Sequence, residues 1–304
     1  MKRNVFFPIA VTLAAMTCCL QSCDFFKHGG SGTDADSVTF CTVMYEDSAT
    51  IVEASIFQKM EADFPVPEAT GALADSIRAY LAEAIVNHRF PIFEEEDSTT
   101  QAFEYQIGKE QEFLNAYAGE GMTRMVNEVT QMAEDGWAMG YYNEYTASVE
   151  LQTNKYVTYV ENYDIYTGGA HGSHIVTGLT FRKSDGCLMG WKILDLNKKA
   201  EIIALIKEEL RDYFAFSEED GPLTDEQLYE QLQLWDNPDT PENELEYGVP
   251  LPYTPPYVSR EGLAFVYQQY EIACYAAGLP SFIISFDKIR DFLSPEGREL
   301  LEME

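Results

Sequence analysis

The chain has 304 residues, with 20 Lys and Arg against 51 Asp and Glu and a formal net charge of −31. Hydrophobic residues make up 46% and aromatics 13%, too apolar and too aromatic for a disordered acidic tail, and the length suffices for one large or two modest cores. The charge argues against nucleic acid, whose phosphates demand clustered Lys and Arg, and it disfavours electrostatic docking on anionic lipid.

At the N-terminus Lys2 and Arg3 precede an apolar run from Val5 to Met16. This run is shorter than the roughly 20 residues of a spanning helix. A basic start, a short apolar core and a small-residue end read as a secretory signal over residues 1–22. The tetrapeptide Leu20-Gln21-Ser22-Cys23 resembles a bacterial lipobox. That resemblance implies cleavage before Cys23 and acylation of its thiol by a palmitate-type chain; an ordinary signal peptide that happens to contain cysteines is the alternative. Cleavage would leave 282 residues with a charge of −33. Residues 23–37, rich in Gly and polar side chains, read as a flexible linker between anchor and body. The expected location is the cell envelope, on the periplasmic face or the outer surface, held to the membrane by the N-terminal lipid.

Once the signal is removed and Cys23 is acylated, Cys41, Cys187 and Cys274 remain, with no CxxC spacing. Either two of them oxidise in an exported protein, or all three pack as small hydrophobes.

Residues 38–57 suit a first pair of strands. Residues 71–87 place Leu73, Ile77, Tyr80, Leu81 and Ile85 on one helical face. A second helix is predicted over about 108–133, with a break at Gly119-Glu-Gly121. The period then changes to two: residues 145–151 and 155–163 form a predicted hairpin, followed by strands at 174–182 and 187–192. A helix is predicted from 198 to 214 with Ile202, Ile203, Leu205, Ile206 and Leu210 inward, and a short one at 224–235. The acid- and proline-rich remainder of 217–256, like Glu94–Asp97, reads as solvated loop, without the alternating oxygen ligands and Gly turn of a calcium site. Runs of strands and helices without strict alternation predict an α+β fold: antiparallel sheets with helices packed on one face, in two adjoining subdomains at 38–165 and 166–304.

The most specific internal stretch is Tyr166-Thr-Gly168-Gly169-Ala-His171-Gly172-Ser173-His174, joining two predicted strands. Its glycines permit positive φ or close backbone approach. His171 and His174 as metal ligands lack an identifiable third ligand. His171 as a general base, or as a structural group bonded to the turn backbone, are the other readings. No cofactor motif, P-loop or nucleophile elbow is present, and no residue is assigned a catalytic role.

The stretch YTGGAHG, followed by a strand and by DG…GWKILDL, resembles the C-terminal domain of the RsiV-like family, extracytoplasmic parts of anti-sigma factors and related exported proteins. A second block, Gly262 to Gly278, is similar to the family's strand followed by Tyr-Glu-Ile-Ala-Pro-Tyr-Ala-x-Gly, with Cys274 standing where the family usually has Pro. Residues 38–165 are similar, mainly in element order, to the domain that precedes this one in RsiV and in the peptidoglycan deacetylase PdaC. The resemblance implies a membrane-anchored, non-catalytic envelope module. Its ligand would be a cell-wall glycan or a basic wall-active protein such as lysozyme. Tyr253, Tyr257 and Tyr270 are the candidate aromatic anchors. The alternatives are a peptidoglycan-modifying enzyme of hydrolase or deacetylase type, and a structural envelope protein.

Overall fold

The structure is a computed structural model that describes residues 37–90, 103–215, 223–234 and 248–303. It has the predicted α+β architecture, with a five-stranded and a three-stranded sheet. Strands β1 (Phe40–Ile51) and β2 (Ala54–Pro65) form a hairpin that turns at Val52, where φ is +58°. Alternation along β2 turns Ile56, Gln58, Met60, Ala62 and Phe64 inward. Helix α1 (Ala72–His88) covers that face with Leu73, Ile77, Leu81 and Ile85, the i, i+4 stripe read in the sequence. Helix α2 (Glu110–Glu134) packs beside it and runs unbroken through Gly119 and Gly121. The predicted break is absent because Gly121 serves a crossing: a Cβ there would stand 2.0 Å from the carbonyl oxygen of Arg89, at the end of α1.

The two helices carry the chain over the sheet, so β3 (Tyr141–Gln152) returns parallel to β2. This parallel pair is the exception in a sheet predicted to be antiparallel. Strands β4 (Tyr156–Tyr166) and β5 (Ser173–Arg182) continue it antiparallel, in the order β1-β2-β3-β4-β5. The subdomain boundary drawn at 165/166 therefore falls at a hairpin inside one sheet. Gln58 and Asn143, opposite each other on β2 and β3 and fully buried, donate to the last carbonyls of α1: Gln58 Nε2 to Arg89 O at 3.1 Å and Asn143 Nδ2 to His88 O at 2.9 Å. Deeper in the sheet, buried Glu161 accepts hydrogen bonds from the hydroxyls of Tyr80, at 2.7 Å, and Tyr145.

Residues 187–192 form no strand. A single bridge joins Leu188 to Phe181, and a 3₁₀ turn, Gly190–Ile193, follows. Helix α3 (Lys199–Tyr213) buries Ile202, Ile203, Ile206 and Leu210. Helix α4 (Asp225–Gln231) is shorter than predicted and starts at a Thr224–Gln227 capping box. Strands β6 (Tyr257–Val258), β7 (Gly262–Val266) and β8 (Ser281–Ser285) form the second, antiparallel sheet, whose Leu263, Phe265 and Ile284 pack with α3. A helix at Pro295–Leu301, capped by Ser294 with Pro at its first position, closes the chain; the sequence reading lacked it. Val258 N donates to Thr180 Oγ1 at 2.9 Å, tying β6 to β5.

Both outer strands of the large sheet meet glutamine amides. Gln111 of α2 donates to Met44 O at 2.8 Å and accepts from Met44 N at 3.3 Å on β1. Gln268 does the same to Val176 on β5, at 2.8 and 3.2 Å. A primary amide carries the same donor and acceptor as a peptide group, so each side chain imitates one residue of a neighbouring strand. Among the described residues no disulfide joins Cys41, Cys187 or Cys274, and no helix is long and apolar enough to cross a membrane.

Candidate functional site

The turn between β4 and β5 is built on Gly168 and Gly169, at φ +89° and +99°. Side chains rarely tolerate these angles. Met139 packs onto Gly168, where a Cβ would stand 2.1 Å from its Cε. Tyr166 donates its hydroxyl to Gly169 O at 3.0 Å and stacks on Tyr142, its register partner on β3, with centroids 5.8 Å apart and planes 23° apart. Gly172 has no room for a side chain. A Cβ would lie 2.4 Å from the Tyr142 hydroxyl and 2.7 Å from Ile165 O, so Tyr142 rests directly on the backbone beside His171.

The block after β7 meets this turn. Besides Gln268, Gln269 Oε1 accepts from His174 N at 3.0 Å. Buried Glu271 holds the loop from beneath, accepting Tyr253 N at 2.6 Å and Gln268 N at 2.7 Å on its two carboxylate oxygens. Between these groups Tyr270 adopts φ +64° and turns outward, 56% exposed. His171 Nε2 lies 2.8 Å from the Tyr270 hydroxyl and Nδ1 lies 3.0 Å from Gly172 O. A carbonyl only accepts, so Nδ1 carries a proton there, and the Tyr270 hydroxyl is the partner of Nε2. The His171 ring also stacks on Tyr275 at 3.7 Å and 20°. On the adjacent rungs His174 Nδ1 meets Asp164 Oδ1 at 2.6 Å. Partial burial, then the neighbouring Asp164, Tyr275 and Tyr166, push the Tyr142 phenol pKa upward. The rings of the two blocks meet through the backbone at Gly172, against which Tyr142 rests, and through His171 beside it, which touches Tyr270 and Tyr275.

The structure thus brings Tyr166, Gly168, Gly169, His171, Gly172 and Tyr270 together. Tyr253 is exposed, and its backbone N–H donates to the Glu271 carboxylate that holds the loop. Tyr257 is turned inward, its ring lying over Gly178 of β5, where an added Cβ would meet it at 1.8 Å. His171 and His174 face different partners and do not converge as a ligand pair. Cys23 lies outside the described residues. Sequence reasoning missed Tyr142, Tyr275 and Glu271 as members of the site. Tyr275 and Glu271 sit in the second quoted block; the Tyr141–Tyr142 doublet, inward then outward at the start of β3, was the signal for Tyr142. A cavity of about 810 Å³ lies apart, between the start of α1 and the β4 and β5 ends that carry Lys155, Arg182 and Lys183, and none of the turn residues lines it.

Residues 194–287 match the family described as "Protein of unknown function (DUF3298)". No curated protein matches the chain. The fold is similar to the crystal structure of a DUF3298 family member from Bacteroides fragilis, with TM-score 0.65 and 20% identity, covering 88% of this chain and 98% of that one. It is also similar to a DUF3298 family protein from Pseudomonas aeruginosa, with TM-score 0.51 and 12% identity, covering 86% and 96%. The matched residues supply Tyr270 and Tyr275; the glycine turn and Tyr142 lie before them.

Proposed function

We propose that the protein is a lipid-anchored envelope module that binds a wall-associated ligand without transforming it. The observation that carries this reading is the meeting of two blocks about 100 residues apart in sequence, the 166–174 turn and the 267–278 segment, on one exposed aromatic face. Exposed, rigidly held tyrosines are the usual anchors of recognition surfaces. Each nitrogen of His171 is engaged by a phenol or a carbonyl, an arrangement that holds a ring in place more than it frees a base. The likeness of both blocks to the RsiV-like family and the lipobox at Cys23 support an envelope setting, and the charge of −31 supports long-range attraction of a basic wall-active protein as the second ligand class.

The test uses the protein lacking its signal, incubated with purified wall sacculi and, separately, with lysozyme. Retention on either, with no release of reducing sugar or acetate, is the expected result. Turnover would replace this reading with the peptidoglycan-modifying enzyme, and retention on neither would leave the structural envelope protein.

A further inference from the structure

We infer that the face made by Tyr142, Tyr166, His171, Tyr270 and Tyr275 is a stacking platform for the pyranose rings of an uncharged glycan. This inference rests on the binding-module reading and names its ligand class. A pyranose presents a flat face of C–H groups and an equatorial rim of hydroxyls. Its complement is a flat aromatic surface with hydrogen-bonding groups at the edge. Tyr270 and Tyr142, 56% and 38% exposed, offer the two most accessible rings. Behind them Tyr275 stacks under His171 and Tyr166 stacks against Tyr142, so each accessible ring belongs to a packed group. The rim carries the phenol hydroxyls, the Asp164–His174 pair and the Gln269 amide.

The platform is held before any ligand arrives. Tyr142 is seated on Gly172, Tyr270 is bonded to His171, and the loop beneath is clamped by Glu271. Little side-chain entropy is left to lose on binding. Charge separates this ligand from the alternatives. A chain of net charge −31 repels polyanions, while four of the five platform side chains are tyrosines, which contribute nothing to that formal charge. An uncharged glycan meets no such repulsion there, whereas a basic protein would be drawn mainly by the charge of the whole chain, an attraction that salt screens.

The experiment is calorimetric titration of the protein without its signal, using an N-acetylglucosamine tetramer, a cellulose tetramer and hen lysozyme, each at low and high salt. The tetramer of N-acetylglucosamine should bind with an affinity that salt hardly alters. Tyr270→Ala and Tyr142→Ala should each weaken it about tenfold, while Tyr270→Phe, which keeps the ring, should stay within about threefold of the parent. Thermal melts of each variant confirm that it folds. Equal binding of the cellulose tetramer supports a platform that reads the ring face; weaker binding supports one that also reads the acetamido rim. Binding of lysozyme alone, weakened by salt and indifferent to Tyr270→Ala, would overturn the platform and leave the binding module standing. Cleavage of the tetramer would overturn both, and so would failure to bind all three probes together with wall sacculi.

Discussion

Tyr270 holds a backbone conformation that a bulky residue rarely adopts, φ +64°, on an exposed loop. Left-handed geometry costs such a residue roughly 1–2 kcal/mol, and strain of this kind gathers where function overrides stability. Tyr270→Gly relieves it but loosens the unfolded chain by a similar amount. Stability should therefore change by less than about 1 kcal/mol while retention on wall material is lost, a split that parallel melting and binding curves will display. Glu161 provides a second residue-scale test. Burial raises its pKa above the ordinary 4.5, and the hydrogen bonds from Tyr145 and Tyr80 offset this only in part. In acid the carboxyl is protonated in folded and unfolded chains alike. As pH climbs past about 4.5 the unfolded chain ionises first, so stability falls until the folded group ionises too. Glu161→Gln lacks that dependence, and its melting temperature should gain on the parent's as pH rises from about 4.5 to neutrality. A gap that is constant over that range would refute the assignment. His88, whose pKa burial lowers despite the hydrogen bond to Ala84 O, and whose ring stacks on Tyr145, acts oppositely, adding stability as pH rises toward about 6.5.

Among elements, the junction of α1, α2 and the sheet depends on Gly121. The Arg89 carbonyl occupies the space a side chain would need, and Gln58 and Asn143 complete its hydrogen bonding. Gly121→Ala gains about 1 kcal/mol of helix propensity and loses more to the forced separation. A net destabilisation of about 2 kcal/mol in urea unfolding is the expected outcome, against stabilisation if the glycine were a mere weak point. This residue also explains what the sequence conceals. Periodicity gave α1, α3 and β5 within a residue at each end, because each buries a regular face, while the β3–β4 hairpin was found but drawn shorter than its strands, which run Tyr141–Gln152 and Tyr156–Tyr166. A glycine that interrupts a helix and one that admits a neighbouring backbone look alike in one dimension. The parallel β2–β3 pairing was hidden for a related reason: alternation records which face is buried, not the direction of the partner strand. The candidate site was half legible. Its glycine turn announced itself, whereas Tyr142 joined it through contacts with Tyr166 and Gly172, distant in the sequence.

For the molecule as a whole, the proposed anchor and the charge would act together. Cys23→Ala should abolish acyl labelling and release the protein from membranes; unchanged fractionation would remove the lipid anchor from the proposal. On the proposed tether, a body of this charge would be repelled by anionic headgroups and polyanions within a Debye length of about 10 Å. The exposed tyrosines would then meet uncharged or basic partners more readily than polyanions.

The glutamines on β1 and β5 acquire their meaning in this setting. Anchored proteins diffuse in two dimensions, where neighbours meet far more often than in solution, and an open strand border is a template on which a second copy can add. Gln111 and Gln268 each occupy one rung of such a border with an amide that belongs to no strand and ends the ladder there. On the lipid anchor proposed above, a second copy approaching either border would find that rung already taken by a side-chain amide.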